Sequence, residues 1–90
     1  MTNQPKDDHI IVAVHVTERV TQASLVQAIL TEYGDIVKTR IGLHEPTPKG
    51  VSPSGVILLE LLAIDGRSTD IITALNALQG VEAKSIVFQH

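Results

Sequence analysis

Two hydrophobic rhythms alternate along the chain. In "HIIVAVHV", His9 to Val16, β-branched residues crowd between polar flanks, which predicts a strand. Successive strand side chains point to opposite faces, so Ile10, Val12, Val14 and Val16 share one side, and Ile11, Ala13 and His15 the other. The rhythm then lengthens. In "TERVTQASLVQAILTEYG", Leu25, Val26, Ile29, Leu30 and Tyr33 recur at spacings of three and four, the period of an amphipathic helix. Thr17 or Thr21 is placed to cap its start, and Gly34 suits a left-handed residue at its end.

"DIVKTRIGLH" returns to strict alternation. Val37, Thr39, Ile41 and Leu43 fall on one side, and Lys38, Arg40, Gly42 and His44 on the other. The Pro/Gly-rich stretch from Glu45 to Gly55 reads as a mobile hairpin connection. "GVILLELLAI" is a third strand, apolar on both faces, with Glu60 as its only charge. "DGRSTDIITALNALQG" predicts a second helix, with an Asp65–Gly66 turn, Ser68 as cap and Asp70 near the positive end of the dipole. Its stripe is Ile71, Leu75 and Leu78, Gly80 ends it, and "VEAKSIVFQ", Val81 to Gln89, is the last strand.

The order strand, helix, strand, strand, helix, strand predicts an α+β fold of the ferredoxin-like βαββαβ type. Its four-stranded antiparallel sheet carries both helices on one face. Right-handed crossovers put the first and third strands in the centre. Residues 1–8 are expected to form a flexible tail, and residues 9–90 a single domain.

The greasy third strand then has a consequence. If Ile57, Leu59, Leu61 and Ala63 face the helices, Val56, Leu58, Leu62 and Ile64 face away, beside Ile11, Ala13, Ile86 and Phe88. Such a patch would expose on the order of 500 Å², near the upper end for a monomer, so a second copy is the expected cover. On the same face Arg40 is expected across from Glu60, at the rim of that interface.

Composition narrows the function classes. Net charge is −3 and the seven Lys and Arg are scattered; nucleic-acid binders carry a basic stripe. One Phe, one Tyr and no Trp leave few platforms for base stacking. Cys is absent, which removes disulfide and thiolate chemistry. The longest apolar run, Val56 to Ile64, is interrupted by Glu60 and falls far short of the ~20 residues of a membrane span. The N-terminus lacks a signal-peptide layout, so a cytoplasmic location is the expectation.

The run "TRIGLHEPTPKGV…VILLELLAIDGRSTDIITALNALQGVEAKS" resembles the iron-only hydrogenase system regulators. These are small ferredoxin-like proteins similar to ACT domains and to the effector-binding domain of nickel-responsive repressors. The resemblance rests on Arg40, Ile41, Gly42, Gly66, Asp70, Ile71, Leu75, Leu78, Gly80, Val81, Lys84 and Ser85. It implies a regulatory module that assembles through its sheets, with no catalytic residues. ACT domains bind amino acids near the turn between first strand and first helix. That turn is here "HVTERVTQ" and lacks the glycine usual in them, a departure from ACT-type amino-acid binding. Thr17, Glu18 and Arg19, which sit where related folds place ligands, are the candidate ligand contacts, with Arg40 as an anion clamp.

No Ser/His/Asp set, paired carboxylates or phosphate-cradling loop stands out, and "PKGVSPSG" departs from the P-loop pattern and precedes a strand. The expected function is non-catalytic and needs no cofactor or metal: a homo-oligomeric regulatory module binding a small-molecule effector or a protein partner. One alternative is a metal-responsive sensor that uses His15 and His44 across an interface; the more ordinary reading is surface histidines. Another is a small enzyme whose site forms only in the oligomer.

Overall fold

The computed structural model describes residues 6–17, 19–43, 46–47, 50–51, 55–64 and 66–89. Strand β1 (Lys6–Val16) leads to helix α1 (Arg19–Glu32) and then to β2 (Val37–Leu43). A ribbon of two-residue strands follows, β3 (Pro46–Thr47) and β4 (Gly50–Val51), within the expected loop. β5 (Gly55–Ala63), α2 (Arg67–Asn76) and β6 (Val81–Phe88) complete the chain. β1 starts at Lys6, inside the stretch expected as tail; Lys6 pairs with Ala63 across a register irregularity.

The main sheet is antiparallel in the order β2-β5-β1-β6, the ferredoxin-like arrangement with first and third long strands central. The sidedness of β1 and β5 follows the sequence rhythm. Val12, Val14, Leu59 and Leu61 are buried beneath the helices with Ile10, Val16 and Ala63. Ile71 and Leu75 of α2 and Val26 and Leu30 of α1 close the core from above, with Ile29, Tyr33 and Leu78 at its margin. Leu62 and Ile64, expected on the uncovered side, are partly buried against this core. Leu25 was expected in the α1 stripe but is 48% exposed. A helix buries an arc of its surface, and the arc here centres on Val26 and Leu30.

Three termini differ from expectation. Gly34 does not take a left-handed φ. Its N–H reaches Thr31 O at 3.1 Å, and an added Cβ would lie 3.2 Å from that same oxygen, so close approach explains the glycine. Gly66, not Ser68, occupies the α2 N-cap, with φ +83° and no side-chain cap bond. Its carbonyl accepts from Asp70 N at 2.8 Å. Gly80 has φ +78°, but α2 ends four residues earlier at Asn76.

Candidate functional site

The turn from β1 to α1 is tied to the entry of β6. Thr17 donates twice to the Gly80 carbonyl, through its backbone N–H and its hydroxyl, each at 2.7 Å. The left-handed Gly80 turns its carbonyl where both donors meet. Arg19 is the first residue of α1, and Glu18 lies outside the described residues. Thr17 is exposed.

Arg40 is not where alternation put it. The pairing of β2 with β5 shifts between Val37, opposite Leu61, and Thr39, opposite Glu60. Lys38 is the extra residue. One inserted residue reverses every side chain that follows. Thr39 and Ile41 therefore share the open face with Glu60 and Leu58, while Arg40 and Gly42 share the helix face with Leu59 and Ile57. The expected Arg40–Glu60 pair does not form. Arg40 instead donates from Nη2 to Gln27 Oε1 on α1. Glu60 is held by Lys38, whose Nζ donates at 3.3 Å, and by His9 Nδ1 at 3.5 Å. The His9 contact, then the Lys38 bond and charge, hold the Glu60 carboxyl below its ordinary value of 4.5.

Arg40 and Thr17 are not brought together within one protomer. Arg40 shares a cross-strand row with Leu59 and Val12, four residues from Val16 along β1 and two strands across. At ~3.4 Å per residue and ~4.8 Å per strand, Thr17, one residue further on, has its backbone about 20 Å from that of Arg40. The sequence therefore yields two separate candidates, the β1–α1 turn and Arg40. It carried no signal for Gln27, because a glutamine on a helix's polar side is ordinary until a bulge aims a cation at it.

A band of apolar residues crosses the open face. Ile86 and Phe88 on β6 are 60% and 58% exposed, and Ile41 is 50% exposed. Ile11 pairs with Ile86, and Leu58 lies between Ile41 and Ala13. The bulge contributes Ile41, which alternation assigns to the other side. Charges on the face are paired within it: Glu60 as above, and Glu82 with Lys84 at 3.8 Å.

His15 is exposed on this face opposite Glu82, and His44 lies outside the described residues. Among the described residues, no three His, Asp or Glu side chains gather into a metal-binding group. No helix among them is long and apolar enough to cross a membrane.

No protein-family model matches the chain, and no curated protein matches it. Solved structures do. An uncharacterised protein from Thermotoga maritima, 18% identical, superposes with TM-score 0.76 over 92% of this chain and 100% of its own. The C-terminal domain of the MgtC protein from Mycobacterium tuberculosis gives 11% identity and TM-score 0.63, over 100% of this chain and 96% of its own. A PII-like signalling protein from Thermus thermophilus gives 11% identity and TM-score 0.57, over 90% and 87%. At these identities the likeness is one of architecture: the chain has an ACT- and PII-like fold of the ferredoxin type.

Proposed function

We propose that this chain is a non-catalytic regulatory module that pairs with itself through the open sheet face and binds a small-molecule effector or a protein partner. The uncovered face carries the reading. One side of the sheet buries its core beneath two helices, while the other leaves Ile41, Ile86 and Phe88 half or more exposed. A contiguous apolar surface of this kind marks an interaction site. A second copy suits it because Glu60, Lys38, Glu82 and Lys84 on this face each already have an oppositely charged neighbour, which reduces like-charge repulsion when two such faces meet.

Two further lines support the regulatory part. One structural neighbour is named a PII-like signalling protein. The sequence also resembles the iron-only hydrogenase system regulators, which links the effector or partner to that system. Thr17, Glu18 and Arg19 are the sequence positions where related folds place ligands, and Thr17 is held by two bonds to the Gly80 carbonyl.

Sedimentation velocity at micromolar concentration tests the assembly. The wild-type chain is expected to run as a dimer or larger symmetric oligomer, and Ile86→Lys combined with Phe88→Lys as a folded monomer. A monomeric wild type, or a double variant that still associates, sinks the open-face reading. A thermal-shift screen of metabolites tests sensing: stabilisation by at least one compound is expected.

A further inference from the structure

We infer that Arg40, Gln27 and Gly42 form a binding site for the carboxylate or phosphate group of a small molecule, on the helix-facing side of β2 where α1 meets it. The inference rests on the reading of the chain as a binding module and gives that module a ligand chemistry and a place.

The first ground is charge. Among the described lysine and arginine side chains, Lys38, Arg67 and Lys84 each lie against a carboxylate, namely Glu60, Asp35 and Glu82. Arg40 differs. Its hydrogen-bond partner is the neutral amide oxygen of Gln27, and no described carboxylate pairs with it. A guanidinium has five N–H donors. With one Nη2 donor committed to Gln27, enough remain on its other edges for a two-pronged contact with an oxyanion.

The second ground is the bulge. A β2 that kept the register of Val37 with Leu61 would set Lys38 opposite Glu60 and Arg40 opposite Leu58, on the same open face as that carboxylate. The shift between Val37 and Thr39 turns Arg40 to the helix face, away from that carboxylate, while Lys38 keeps its bond to Glu60. Bulges recur beside functional sites because they re-aim a side chain in this way. The third ground is space. Gly42 lies two residues beyond Arg40 on the same face, and a Cβ built on it meets nothing within 4 Å. The floor beside the guanidinium is bare backbone with room above it.

Gln27 then has a double use. Its oxygen restrains the guanidinium, which lowers the ordering cost of binding, and its NH2 group supplies donors of its own. The site is open to water, so an isolated anion is expected to bind with a Kd of roughly 1–10 mM, the rest of a larger ligand adding affinity.

Side-chain NMR of the full 15N-labelled chain tests this through the Arg40 Nε–H and Gln27 NH2 signals. Inorganic phosphate and acetate are titrated separately against sodium chloride at matched ionic strength. Saturable shifts with phosphate, acetate or both are expected, and none with chloride. Phosphate alone assigns a phosphoryl ligand, and acetate alone a carboxylate. Arg40→Gln is expected to weaken binding at least ~10-fold. Gly42→Val is expected to do the same with an unchanged fold, seen in an unaltered backbone spectrum. Shifts no larger than those from chloride, or shifts that persist in Arg40→Gln, overturn the site. If a screened metabolite stabilises wild type and Arg40→Gln alike, the module binds elsewhere: this inference falls and the broader one stands. Oxyanion binding by a chain that stays monomeric does the reverse, keeping the site and removing the open-face assembly.

Discussion

Glu60 is the only charge on a strand that is otherwise wholly apolar, and its surroundings explain why it is tolerated. It sits on the open face between Lys38 and His9, both of which favour its ionised form. Its carboxyl is consequently held below 4.5, first by the His9 contact and then by Lys38. A carboxyl depressed in the folded state binds its proton more readily when unfolded. It therefore stabilises the fold above the unfolded value, and that contribution disappears as pH falls through the folded one. Urea melts of wild type and Glu60→Gln are expected to differ most above pH ~5 and to converge as the solution is acidified below the ordinary carboxyl range. The gap should also narrow in high salt, because the cluster is solvent-accessible. A gap that stays constant down to pH ~2 would mean that the two partners do not select the ionised form. The sequence makes Glu60 conspicuous as a lone charge. It points to Arg40 as the partner, wrongly, since alternation carries no sign of an inserted residue.

At the scale of elements, one sheet edge carries a substitute partner. β6 is an edge strand, and an edge leaves backbone groups without a ladder partner. Asn76, the last residue of α2, closes part of it. Its Oδ1 accepts from Ala83 N at 2.7 Å, and its Nδ2 donates to Ala83 O at 3.1 Å. One carboxamide thus substitutes for a missing strand and fastens the helix to the edge. Replacing Asn76 by Ala removes both bonds. The expected loss is about 1 kcal/mol, after alanine's better helix propensity has offset ~0.5 kcal/mol. Urea denaturation reads the loss, and faster hydrogen exchange at the Ala83 amide localises it. Unchanged exchange there would show that the carboxamide does not protect this edge. What was legible at this scale was whatever the core dictates. The alternation of β1 and β5 and the Ile71–Leu75 stripe survive because slipping either would expose buried methyls to water. The bulge at Lys38, the exposure of Leu25 and the glycine cap of α2 depend on neighbours distant in sequence or on backbone torsions, and neither leaves a periodic trace.

For the whole molecule, the decisive quantity is how much surface the open face can bury. Four strands ~4.8 Å apart, facing a partner over ~20 Å, give a footprint on the order of 400 Å² per copy. Allowing for side-chain relief, two copies bury on the order of 1,000 Å² together, near the lower bound for a specific interface. Such a dimer is not expected to be obligate. The sealed core of Val12, Leu59, Leu61, Ile71 and Leu75 is complete within one protomer, so the monomer should keep its fold when separated. Pairing then acts as a linked equilibrium that stabilises the native state by mass action. Raising the protein concentration a hundredfold across the micromolar range should lift the melting temperature by on the order of 5 °C for a chain of this size. The Ile86→Lys, Phe88→Lys double variant should melt at a temperature independent of concentration. This comparison separates assembly from ordinary stability, because a variant damaged only in its core would melt lower at every concentration yet keep the wild-type slope. A flat wild-type profile would leave the face unoccupied by its own kind and hand it to a different partner.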